Sequence, residues 1–120
     1  MKIAISARGQ NLEAQIDPRF GRAPYFLFVD TDTMECQAVP KQASMQGTQG
    51  AGIQAASLVA SHQPAAVLTG NCGPNAFKIL KTAGISVAIG AMGRVKDAVR
   101  SFQAGTLKPA DRPNVASPWR

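Results

Sequence analysis

From residue 65 onward the chain alternates short apolar runs, each closed by a glycine, with stretches of helical periodicity. Ala65-Ala66-Val67-Leu68-Thr69 stops at Gly70, and Ile85-Ser86-Val87-Ala88-Ile89 stops at Gly90. Between them Phe77, Leu80 and Ala83 recur at helical spacing with Lys78 and Lys81 opposite. Pro74 suits the first turn there and Gly84 the stop. A further period, Val95, Ala98, Val99 and Phe102, ends at Gly105. Strands that alternate with helices require a parallel sheet with crossover connections. That requirement constrains the fold more than any other feature of the chain.

The first half reads differently. Residues 2–6 form a short apolar strand, and residues 7–24 a long polar, glycine-bearing connection of the kind that is often functional. Residues 25–29 and 35–39 are strands separated by Asp30-Thr31-Asp32-Thr33, which predicts a hairpin. Residues 42–52 are rich in Gln, Ser and Gly, and a helix is predicted from there to Ser61, with Ile53, Ala56 and Ala60 on its inner side. The predicted order is β-loop-β-β-α-β-α-β-α. It gives an α/β fold in which the strands beginning at Lys2, Ala65 and Ile85 are parallel and the hairpin makes a mixed edge. One domain is expected over residues 1–107. A free tail is expected over residues 108–120, where Pro109, Pro113 and Pro118 oppose regular structure.

Composition removes several functions. Hydrophobic residues make up 45% of the 120, enough for a core. No apolar run approaches the roughly 18–20 residues of a membrane span, and the N-terminus has no export leader, so a cytoplasmic protein is expected. Cys36 and Cys72 lie far apart, and His62 is the one histidine. This disfavours a disulfide framework, a zinc ribbon, a cysteine-held iron–sulfur cluster and a histidine cage. His62 reads as an ordinary residue near a helix C-terminus. The net charge of +6 is unevenly placed: residues 1–40 carry four basic against five acidic side chains, and residues 41–120 carry nine against two. Such an excess points to an anionic partner.

In open parallel sheets ligands bind beyond the carboxyl ends of the strands. Three loops lie there: residues 7–24, 70–75 and 90–94. Gly70-Asn71-Cys72-Gly73-Pro74-Asn75 leads into a helix start, where glycines admit a ligand to the backbone and N–H groups favour an anion. Gly90-Ala91-Met92-Gly93-Arg94 repeats the arrangement and adds a guanidinium. The first loop supplies Arg8, Arg19 and Arg22. Together they offer anion binding and no paired carboxylates for proton transfer. Two plainer readings stay open: glycine turns that only let helices pack on the sheet, and Arg19 and Arg22 that only pair with Asp17 or meet solvent. Cys72 is the cysteine better placed for chemistry, since a thiolate beside a helix start has a lowered pKa. Met45 and Met92 are soft sulfur donors in loops, able to face a Cu(I)-like centre. No nucleotide fingerprint is present.

Phe20-Gly21-Arg22-Ala23-Pro24-Tyr25-Phe26, Gly50-Ala51-Gly52-Ile53-Gln54-Ala55-Ala56 and Gly70-Asn71-Cys72-Gly73-Pro74-Asn75-Ala76-Phe77 resemble, in order and spacing, the nitrogenase iron–molybdenum cofactor-binding family. The resemblance spans about residues 1–107 and is greatest to the family's small stand-alone members. It implies a ribonuclease-H-like three-layer α/β/α fold with a five-stranded mixed sheet, and a cluster carrier rather than an enzyme. It further implies an anionic molybdenum–copper sulfide cluster held without covalent protein ligands. Many family members carry histidine where this chain has Arg19, which favours electrostatic capture here. The expected cradle is Arg19, Arg22 and Arg94 with Gly70, Asn71, Cys72, Gly73 and Asn75. Ile16, Ala91 and Met92 are expected to cover the sulfide faces. Donor or acceptor proteins, possible ATPases among them, and a monomeric state are implied as well. Among competing readings, a metal-dependent nuclease needs an acid on the first strand, and residues 2–6 have none. Specific nucleic-acid readout is not indicated, since the seven aromatic residues fall mostly at core positions. The alternatives are a binder of some other small anion, such as a phosphorylated metabolite, or a nonspecific nucleic-acid binder.

Overall fold

The computed structural model describes residues 1–41 and 50–113. β1 (Lys2–Ala7) is the central strand of a five-stranded sheet. It pairs antiparallel with β2 (Tyr25–Asp30), which pairs antiparallel with β3 (Cys36–Pro40), as the hairpin signal predicts. On its other side β1 pairs parallel with β4 (Ala66–Leu68), and β4 pairs parallel with β5 (Ser86–Ala88). The order is β3-β2-β1-β4-β5.

Both faces of this sheet are covered, so its inner strands are apolar on both sides. Strand alternation sends Ala4, Phe26, Phe28, Val67 and Val87 to one core and Ile3, Ile5, Leu27, Val29 and Leu68 to the other. The first core is closed by α1 (Ala51–Ser61) and α2 (Pro74–Thr82), through Ala55, Ala56, Val59, Phe77 and Leu80. The second is closed by α3 (Val95–Gln103), through Val95, Ala98 and Val99. The result is the expected three-layer α/β/α arrangement. His62 caps the C-terminus of α1, and its ring stacks on Phe28 with centroids 4.4 Å apart.

Two details depart from the sequence reading. The inner face of α1 is Ala55, Ala56 and Val59, while Ile53 and Ala60 are half-buried, a rotation of the expected stripe. Residues 108–110, expected in a free tail, instead lie along β5. Pro109 bridges Ala88, and the Ala110 N–H donates to the Val87 carbonyl at 2.7 Å. The outer edge of β5 otherwise offers unpaired backbone groups, and this segment covers part of it. Residues 114–120 lie outside the described residues.

Candidate functional site

The loop after β1 is sewn to both of the other two loops by backbone hydrogen bonds. It first folds back on its own strand, with the Asp17 N–H donating to the Ser6 carbonyl at 3.0 Å. Towards the third loop, Ile16 N–H donates to Gly93 O at 2.8 Å. Val95 and Lys96 N–H donate to Ala14 and Leu12 carbonyls at 2.9 and 3.0 Å. Towards the second, Asn71 N–H donates to Pro18 O at 2.7 Å and Phe20 N–H to Asn71 O at 3.3 Å. The Gly90 N–H donates to the Gly70 carbonyl at 2.9 Å, joining the second and third loops. Beneath them the Ser6 and Thr69 hydroxyls meet at 2.8 Å, and Ser6 also donates to Asp17 O at 2.7 Å, all fully buried. Gly70 is obligatory in this contact, because a Cβ there would lie 2.7 Å from the Pro18 Cα.

The three helix starts are not equivalent. The first N–H groups of α3 are consumed by Ala14 and Leu12, so its positive end is closed. Those of α1 and α2 are open among the described residues: neither N-cap glycine supplies a side-chain cap. Among the described residues no acceptor takes the N–H of Ala51, Gly52, Asn75 or Ala76. Both starts line one cavity of 110 Å³, together with Phe20 and Gly21 of the 3₁₀ turn Phe20–Arg22. Gly21 makes this convergence possible, since a Cβ on it would sit 2.8 Å from the Gly52 nitrogen. Two helix starts that line one volume, their first N–H groups taken by no acceptor among the described residues, give a positive potential there. The contribution of α1 was missed at the sequence level, although the glycines at 50 and 52 carried its signal.

The three expected guanidinium groups are in different situations. Arg19 pairs with Asp17: Nε lies 3.3 Å from Oδ1 and Nη2 3.4 Å from Oδ2, and the carboxylate is buried beneath it. Arg19 therefore serves first to neutralise a buried charge. Arg94 donates from Nη1 to Glu13 Oε1 at 2.9 Å, and Lys96 Nζ to Oε2 at 2.8 Å. The Lys96 hydrogen bond, with Arg94 adding to it, holds the exposed Glu13 carboxyl below its usual range. Arg22 is exposed and forms no ion pair among the described residues. The ammonium of Lys41, which the sequence reading did not single out, donates to the carbonyl of Gly21.

Other candidates fall as follows. Gly73 and Asn75 stand at the open start of α2, and Asn71 joins two loops. Cys72 is buried in the core under α1 and α2, and burial pushes its thiol up to about 12. The expected lowering by the helix start is thus reversed: the sulfur faces the apolar interior, which disfavours a thiolate. Ile16 and Ala91 are buried in the α3-side core, so they form the floor beneath the loops and present almost no surface to a ligand. Met92 is 79% exposed and lines a separate cavity of 190 Å³ with Ala98, Ser101 and Leu107. Met45 lies outside the described residues. Among the described residues no three of His, Cys, Asp and Glu gather in a way that could hold a metal ion. Nor, among the described residues, is any helix long and apolar enough to cross a membrane.

Residues 1–105 match the family model described as dinitrogenase iron-molybdenum cofactor. The chain belongs to this dinitrogenase cofactor family. Its fold is similar to that of the apo form of the orange protein from Desulfovibrio gigas, with a TM-score of 0.89 and 42% identity over 95% of this chain and 96% of that one. A Thermotoga protein of the DUF35 family, solved by NMR, is 30% identical over 90% of this chain and 91% of its own, with a TM-score of 0.75. An uncharacterised protein of Methanocaldococcus jannaschii is 28% identical over 90% of each chain. Family membership covers both sides of the convergence, because the match includes the 3₁₀ turn and the starts of α1 and α2.

Proposed function

We propose that this protein captures an anionic molybdenum-containing metal–sulfur cluster, of the molybdenum–copper sulfide type, and carries it between a donor and an acceptor protein without chemical turnover. The observation that carries the reading is the meeting of the open α1 and α2 starts at one cavity, beside an Arg22 that forms no ion pair among the described residues. Backbone N–H groups and a guanidinium suit a polarisable anion whose metals are already satisfied by sulfide. Among the described residues the donor set fits no bare metal ion: Cys72 is a buried thiol and no group of His, Cys, Asp and Glu gathers to hold one. In this reading Asn75 and Ala76 N–H groups from α2, Ala51 and Gly52 from α1, and the Arg22 guanidinium surround the cluster. Asn71, Gly70 and Gly73 set the loop that supports them. Arg19 and Arg94 lend charge from the rim while held by Asp17 and Glu13.

The test is anaerobic titration of metal-free protein with tetrathiomolybdate and copper, followed by visible absorption and gel filtration. Wild type retains the chromophore. A charge-assisted hydrogen bond contributes about 1.5–3 kcal/mol, so Arg22→Ala weakens uptake by roughly tenfold or more. Arg94→Ala weakens it less, because Glu13 already holds that guanidinium. Equal uptake by wild type and both variants refutes the site.

A further inference from the structure

We propose that Lys41 is a second binding cation of this site, acting with Arg22 to select multiply charged anions over singly charged ones. The inference rests on the anion-binding reading and extends it to a residue outside the three loops. Lys41 follows β3, and its N–H donates to the Pro24 carbonyl at 2.8 Å, so the hairpin carries it to the 3₁₀ turn. There its ammonium donates to the Gly21 carbonyl. Gly21 lines the cavity between the α1 and α2 starts, so this hydrogen bond ties the ammonium to a residue of that wall, although Lys41 does not itself line the cavity.

The charges around it lack a counterpart. Burial, and then the neighbouring Arg22 guanidinium, lower the Lys41 pKa. Among the described residues no carboxylate lies within ion-pair reach of either side chain. Asp17 is paired with Arg19, Glu13 with Arg94 and Lys96, and Asp97 with Arg100. Two adjacent cations that face no acid repel one another in the ligand-free protein. A dianion relieves that repulsion more than a monoanion does, because each of its charges meets one of theirs. A lysine that only fastened the hairpin to the turn would need the hydrogen bond to Gly21 and not the charge.

Molybdate and perrhenate are tetrahedral oxyanions of similar size carrying two charges and one. Their binding to the full chain, with tetrathiomolybdate as a further dianion, is measured by isothermal calorimetry at two salt concentrations. Wild type prefers the dianions. Lys41→Gln keeps a donor for Gly21 but loses the charge. It weakens dianion binding by roughly tenfold, perrhenate by less than about threefold, and flattens the salt dependence. Lys41→Arg restores both affinity and slope. Dianion affinity and slope unchanged in Lys41→Gln overturn the inference alone. A wild type that takes up no dianion overturns the underlying reading as well. Circular dichroism of each variant verifies folding, and failure of Lys41→Arg to restore the slope in a folded protein also counts against the inference.

Discussion

Replacing Gly21 by alanine places a Cβ 2.8 Å from the Gly52 nitrogen, 2.9 Å from its Cα and 3.1 Å from the Ala51 carbonyl carbon. All three are backbone atoms of the first turn of α1, so no side chain can swing aside. Ordinary contact begins at 3.4 Å, and the 3₁₀ turn and helix must part by about 0.6 Å to reach it. Overpacking of this kind costs about 1–3 kcal/mol. Alanine recovers about 0.4–1 kcal/mol by restricting the unfolded chain, which leaves a net loss of roughly 1–2 kcal/mol. At about 4 °C per kcal/mol, the Tm falls by roughly 4–8 °C. Gly52→Ala, at the neighbouring approach of α1 to α2, serves as the control. Among the described residues its Cβ meets only the Ala76 Cβ, at 3.5 Å, and alanine suits a helix better by up to about 1 kcal/mol. Gly52→Ala is therefore neutral or stabilising. Both variants are compared by thermal and urea unfolding. A Gly21→Ala protein as stable as wild type refutes the claim that this turn and α1 are in backbone contact.

Two further predictions concern charge and sulfur. Glu13→Gln releases Arg94 and Lys96 and removes a negative charge from the rim, so tetrathiomolybdate binds several-fold more tightly at low salt; weaker binding by titration contradicts that placement of Arg94. In native protein at pH 8, Cys72 escapes a disulfide reagent until the chain unfolds, whereas half-buried Cys36 reacts slowly. The Cys72 thiol keeps its proton in the folded state up to about 12 and loses it near 9 when unfolded. Folded protein thus binds more protons between these values, and stability declines as pH rises through that window. Rapid native labelling of Cys72, or flat stability there, contradicts its burial.

The parts of this molecule that were legible in the sequence are those in which side chains carry the pattern. Alternation along residues 25–29 sends Phe26 and Phe28 one way and Leu27 and Val29 the other. Glycines closing the parallel strands marked where β4 and β5 end and the loops begin. The α1 stripe was misread because an alanine-rich helix has little contrast between faces, and Val59 rather than Ile53 sets the inner side. What lies between the loops was not legible, because it is made of backbone. The bonds from Ile16 to Gly93 and from Asn71 to Pro18 require no particular side chain. Nor do the bonds from Val95 to Ala14 and from Lys96 to Leu12, which close the α3 start, whereas among the described residues no such bond closes the starts of α1 and α2. For the same reason counting arginines did not show that two of them, Arg19 and Arg94, are already held by acids. Asp17 and Glu13 stand close in sequence to Arg19 but on opposite sides of the loop, and only the fold shows which cations they hold.

The most direct test of cluster capture without protein ligands to metal is visible absorption of Cys36→Ser/Cys72→Ala protein titrated anaerobically with tetrathiomolybdate and copper. The cysteine-free protein should develop and retain the same molybdenum–copper sulfide chromophore as wild type, at the same stoichiometry. A wild-type protein that forms no chromophore, or a folded cysteine-free variant that loses it, would contradict capture by backbone N–H groups and Arg22.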